Sequence, residues 1–532
     1  MTKKKPVCLG VIFCCILGVF SGCTYLMGTT FTVISTVVCD QDGIPGLQMN
    51  CNTSDLVTLT FSTMEKEVLF TDSYYKGSFT VFLPLDSYRI TPEQRTYQFT
   101  VVDQYERQIF HQTYQFNGGN LSIKNIKGYW STDDEDDTTL SLVGLNITVF
   151  NQGDIPMYPH TVEVEIIGKQ TTTYLLPTVI LPGQQTTLCC SLYLNEIPYG
   201  DTALAIILKD LNDKQVCSFT SLISPEKNNP VIVYDWNYKG QRHLRIPIAD
   251  CLYEYYHNLP RFLLEDYAAY VFDPYDDDSL AVVAGQLVQE LGTYSEESEQ
   301  VNAIASFVQS MDYVIDDINN ASYEYPRYPV EMVYDQQGDC EDKAILLSSL
   351  LHTLGYNVSL LRLPNHMAVG VHLENELQEY SYFISQYYYL ESTRTQWMVG
   401  DVPPEYKDTI NVTVYPIIRR PLLVHHWKNA TRYTGRDGTD FVKIQVLIQN
   451  IGTADATNVE VKAAFFSEDT LMFNQESSTV LKITPQEKVA VSLKVTVPQG
   501  MSTLLKTRLY TDRKLVDEKE SMAWFVSKGF SE

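Results

Sequence analysis

Gly338-Asp339-Cys340-Glu341-Asp342-Lys343-Ala344, continuing through Ile345 to Leu354 and stopping at Gly355, is the stretch on which the reading of this chain turns. Cys340, Ala344, Leu347, Leu351 and Leu354 recur at alternating four- and three-residue steps, which draws one apolar stripe along a helix. Gly355 is the expected C-terminal stop. Cys340 falls in the first turn, where unpaired backbone N–H groups and the helix dipole favour a thiolate. Asp339, Glu341 and Asp342 oppose this, because negative neighbours raise a thiol pKa, so a cationic partner is required.

Downstream, Val358–Leu363 and His366–Leu373 read as two strands joined by a Pro364-Asn365 turn, and Tyr387–Glu391 as a third. Alternation puts His366, Ala368 and Gly370 on one face and Met367, Val369 and Val371 on the other. The histidine face is small, which predicts close approach of a helix end to it. Cys340, His366 and Glu391 thus follow in the order of a nucleophile, a base beside it and a carboxylate orienting the base. No second Cys or His stands at ligand spacing from Cys340 or His366, so neither a metal nor another cofactor is implied.

These motifs, Gly338-Asp339-Cys340 opening a helix, Asn365-His366-Met367-Ala368-Val369-Gly370, and Tyr389-Leu390-Glu391-Ser392-Thr393, resemble the microbial branch of the transglutaminase-like cysteine-enzyme superfamily. The resemblance implies a papain-like α+β core over 230–422, with Cys340 as nucleophile, His366 as general base and acid, and Glu391 where aspartate is usual. The longer Glu391 must then retract to meet the imidazole. A Trp found soon after the histidine in many members is replaced here by Met367 and Ala368. The implied activity is hydrolysis or acyl transfer at peptide or other amide bonds, with a protein or peptide as substrate. The alternative is a non-catalytic surface adhesion protein that keeps the fold as a scaffold.

The N-terminus carries Lys3, Lys4 and Lys5, an apolar run from Val7 to Phe20, then Ser21-Gly22-Cys23. This reads as a secretory signal over 1–23. Its end resembles a lipoprotein cleavage box, which would make Cys23 a lipid-attachment residue at the membrane surface; ordinary cleavage and an uncleaved anchor are the alternatives. Export makes disulfides admissible, with Cys39–Cys51 as one staple and Cys189 or Cys190 with Cys217 as another, leaving Cys251 and Cys340 over; no pairing at all is the remaining case. Asn-x-Ser/Thr sequons, Asn320 among them, permit glycosylation. A net charge of −26 argues against nucleic-acid partners and against binding anionic lipid through a basic surface.

The remaining chain divides into a linker over 24–54, a β-sandwich over 55–132, an acidic run Asp133–Asp137 read as solvated, and an Ig-like domain over 138–225. A second Ig-like domain follows the core over 428–528. Asn151-Gln152-Gly153 before Thr161–Glu165 recurs as Asn450-Ile451-Gly452 before Asn458–Lys462, which makes the two sandwiches an internal repeat. They resemble adhesion-related modules of prokaryotic surface proteins. Helices are expected over Ser279–Leu291 and Glu296–Met311, with Asp276–Asp278 favouring the first dipole. His425, His426 and Trp427 read as an interdomain contact.

Overall fold

The computed structural model describes residues 28–132, 139–167, 170–176, 178–198, 200–259, 261, 266–315, 325–377, 381–407, 411–435 and 438–526. The signal segment with Cys23, the acidic run 133–137 and the sequon at Asn320 lie outside the described residues. The chain is mostly β and packs as two compact units. One holds the described residues up to Ser122 with 150–158 and 179–185; the other holds 123–149, 159–178 and the chain from Thr186.

In the first unit, Phe31–Gln41, Ile44–Thr53 and Gly77–Pro84 form an antiparallel three-stranded sheet. Val57–Thr63, Val68–Tyr74, Arg95–Asp103 and Gln108–Phe116 form a four-stranded one. Alternate residues such as Leu47, Met49, Leu59, Phe61, Phe99 and Val101 are buried between them. Within the stretch expected as a linker, Phe31–Gln41 and Ile44–Thr53 are therefore strands that the sandwich needs, supplied by their β-branched alternation. Cys39 stands opposite Gly46 and Cys51 opposite Val33, so the register keeps these cysteines apart.

Leu121–Ile223 builds a three-stranded and a four-stranded sheet, with Leu145, Ile147, Val162, Val164 and Ile166 buried as their alternation predicts. The C-terminal chain builds another pair, Leu423–Thr434, Asp440–Asn450 and Lys488–Thr496 against Ala456–Phe466 and its neighbours. His425 belongs inside this last module, contrary to the interdomain reading. It is buried, with Thr507 Oγ1 2.8 Å from Nε2 and Asp517 2.8 Å from Nδ1. Cys251 is also not left over. It bonds Cys189, joining a sandwich strand to the first turn of the helix Asp250–His257, while Cys190 and Cys217 remain thiols.

The second unit also holds every α-helix of the described residues. Phe383–Ile384, Tyr387–Leu390, His366–Val371, Val358–Leu363 and Thr413–Pro416 form, in that order, an antiparallel five-stranded sheet. The helix Cys340–Thr353 packs on it and is flanked by Asp277–Leu291, Glu297–Ser310 and Pro329–Asp335. No helix of the described residues is long and apolar enough to cross a membrane.

Candidate active site

The helix Cys340–Thr353 is fixed at its start by two carboxylates. Asp339 is the N-cap, its side chain accepting from the Asp342 N–H, and Asp342 Oδ2 accepts from the Asp339 N–H at 3.2 Å. Asp342 is itself held by Arg327, whose backbone N–H donates at 2.7 Å and whose guanidinium forms an ion pair with it. The helix is buried on all sides from Glu341 to Leu351, not along a single stripe, because helices cover the faces that the sheet does not. Lys343 is wholly buried. Its ammonium donates to the Met311 carbonyl at 2.7 Å, and burial lowers its pKa to about 8 against the pull of Asp312 and Glu391.

His366 opens its strand after a two-residue turn in which Asn365 adopts φ 57°, a conformation Asn tolerates. Gly370 pairs with Tyr389 and Val369 with Leu390, so continuing the register sets Glu391 beside the histidine end. There His366 Nε2 lies 3.1 Å from Glu391 Oε2. Glu391 is 1% exposed. Its Oε1 turns back to accept from the Ser392 and Thr393 N–H groups at 3.0 and 2.9 Å and from Thr393 Oγ1 at 2.7 Å, while Tyr389 Oη donates to Oε2 at 2.7 Å. Burial works against ionisation, but these bonds and the His366 charge outweigh it and hold the carboxyl at about 2.

The helix does not approach the small histidine face. It packs on Met367, Val369, Val371 and Leu390, because these larger apolar side chains have the area to bury against it. Ala368 and Tyr389, on the other face, pack with Leu361, Leu363, Tyr382 and Tyr406. Cys340 comes near the histidine end through the helix start, where the Met367 backbone N–H acts to lower the thiol pKa.

The thiol is not in the state its helix position predicts. Cys340 Sγ donates to Glu341 Oε2 at 3.1 Å, and no hydrogen bond joins it to His366 among the described residues. Burial, then the Glu341 charge and hydrogen bond, push the thiol well above its ordinary range; the Met367 N–H pulls the other way. Lys343 and Arg327, the cations nearest Cys340 in the sequence, are turned to Met311 and Asp342. The structure thus joins His366 to Glu391 and leaves Cys340 bonded to Glu341.

Three further side chains belong to the site. Tyr389 was legible as the residue two before Glu391 on the same face. Tyr406, stacked on His366, carries no sequence signal, because a loop brings it back from fifteen residues beyond Glu391. Tyr313 stands near Cys340, Asp339 and Glu341, with burial, then these charges, raising its phenol to about 12. No group of three or more His, Cys, Asp and Glu side chains suited to a metal ion occurs among the described residues.

No family model matches the chain, and no curated protein matches it either. Among solved structures, LapG of Legionella pneumophila is similar at 18% identity and TM-score 0.19, over 31% of this chain and 78% of that one. Red sea bream transglutaminase is similar at 11% identity and TM-score 0.20, over 69% and 78%. A two-domain fibronectin type III segment of chicken tenascin is similar at 12% identity and TM-score 0.16, over 36% and 99%. Likenesses this distant carry no weight for function, which rests on the geometry above.

Proposed function

We propose that this chain is an exported, surface-held thiol enzyme with a transglutaminase-like core over 230–422, acting on peptide or related amide bonds. The observation that supports it best is the His366–Glu391 pair: a buried, ionised carboxylate bonded to one imidazole nitrogen. Nε2 then carries the proton that Glu391 accepts, and Nδ1 is the nitrogen left to take one. The thiol proton passes to His366, sulfur bonds to the carbonyl carbon, and the C=O electrons move onto oxygen beside backbone N–H groups of the helix start. On collapse the C–N bond breaks and His366 returns the proton to the leaving amine. Water then gives hydrolysis; a second amine gives acyl transfer.

The Cys340–Glu341 hydrogen bond favours a second reading, a binding scaffold whose thiol stays protonated. Alkylation of Cys340 against pH, read by peptide mass spectrometry on the folded protein beside His366→Ala, separates the two. Labelling at neutral pH that the substitution abolishes is the expected result. Labelling that begins only above the ordinary thiol range of about 8.5 and ignores His366 would leave the scaffold, once unfolding has shown the thiol is otherwise reactive. The proposed anchoring rests on the charged and apolar order of residues 1–23. It is tested by whether Cys23 carries lipid in the membrane fraction.

A further inference from the structure

We propose that Tyr406 is a positioning residue of this site, holding the His366 ring by its face while Glu391 holds it by its edge. The proposal rests on the reading of Cys340 and His366 as nucleophile and base. The two rings are stacked with centroids 4.9 Å apart and planes 5° apart. Burial, then the charges of Glu405, Glu391 and Cys340, act on the Tyr406 phenol, so this ring stands near the carboxylate and thiol as well as the imidazole.

A single in-plane hydrogen bond from Nε2 leaves the imidazole free to swing about that contact, and swinging moves Nδ1, the nitrogen that must meet the thiol proton. A parallel ring on the face blocks that motion. The stacked ring also favours the cationic imidazole that forms when the thiol proton arrives. Tyr406 is itself held from two sides. Pro403 and Pro404 restrict φ at the entry to the short turn Pro404–Tyr406, whose Tyr406 N–H donates to the Pro403 carbonyl at 2.9 Å. Its ring packs with Leu361, Leu363, Ala368 and Tyr389. Ala368, small and on the histidine face, leaves the room that a larger residue would fill, which gives the narrow face a purpose other than admitting the helix.

Two substitutions separate ring from hydroxyl. Tyr406→Phe keeps the stack; Tyr406→Leu keeps apolar volume and removes it. The upfield ring-current shift of the His366 carbon-bound protons should persist in the first variant and vanish in the second, with thermal midpoints checking that both fold. In His366-dependent alkylation of Cys340 at neutral pH, Tyr406→Leu should be slower by roughly tenfold or more, an estimate from the strength of a partly desolvated cation–π contact. Tyr406→Phe should stay within about threefold on the same basis. A folded Tyr406→Leu that labels like the native chain, or a Tyr406→Phe that falls as far, overturns the positioning role with the catalytic reading intact. Native labelling that ignores His366 overturns both.

Discussion

Five hydrogen bonds converge on the Glu391 carboxylate, and they make its ionisation a stability term. Its carboxyl is held at about 2 against an ordinary 4.5, so the folded state binds a proton less readily than the unfolded chain. The contribution is then fully present above pH 4.5 and is lost as pH falls through about 2. It is on the order of 3 kcal/mol by the usual conversion of pKa difference to free energy. Glu391→Gln should therefore destabilise the protein at pH 6 in urea melts, and its deficit should shrink toward pH 2.5. At Cys340 the sign is reversed, because burial and then Glu341 favour the neutral thiol. Glu341→Gln removes one of these causes and should raise alkylation of Cys340 at neutral pH by on the order of tenfold, one pKa unit. A rate unchanged or lowered in that variant would mean burial alone governs the thiol.

Elements were legible where a sequence period met a packing surface. The strands Val358–Leu363 and His366–Val371 and the helices Asp277–Leu291 and Glu297–Ser310 fall close to their expected places, since alternation and helical spacing were set by one core. The repeated Asn-x-Gly also has a structural counterpart. Asn151 Nδ2 donates to the Ile155 and Ile180 carbonyls and its Oδ1 accepts from the Gly153 N–H; Asn450 does the same with Ala454, Ile483 and Gly452. Each side chain thereby satisfies backbone groups where a strand ends and the chain turns. Asn450→Ala strips four side-chain bonds, the fourth accepted from the Leu422 N–H, from a fully buried site and should cost about 2 kcal/mol or more in chemical unfolding. Which face of the His366 strand meets the helix was not legible, because alternation separates two faces without saying what covers either. Tyr406 was hidden for a related reason: no period links a loop to the ring on which it stacks.

At the scale of the molecule, cysteine partners were the least readable feature, since spacing says nothing of which loops the fold brings together. Cys189 and Cys251 are 62 residues apart and meet because a sandwich strand and the start of the helix Asp250–His257 share the second unit. Closing a loop of that length removes unfolded-state freedom worth about 4 kcal/mol in the chain-entropy account. Such a bond persists in oxidising compartments, which the proposed export would supply. Reduction should therefore lower the thermal midpoint of the transition that includes the second unit, and Cys189→Ser should match the reduced native chain and respond no further to reductant. Cys217→Ser, a thiol outside the bond, should leave both the midpoint and its sensitivity to reductant in place. A native midpoint indifferent to reductant, with mass analysis showing the bond cut, would mean the crosslink constrains chain that the core already holds.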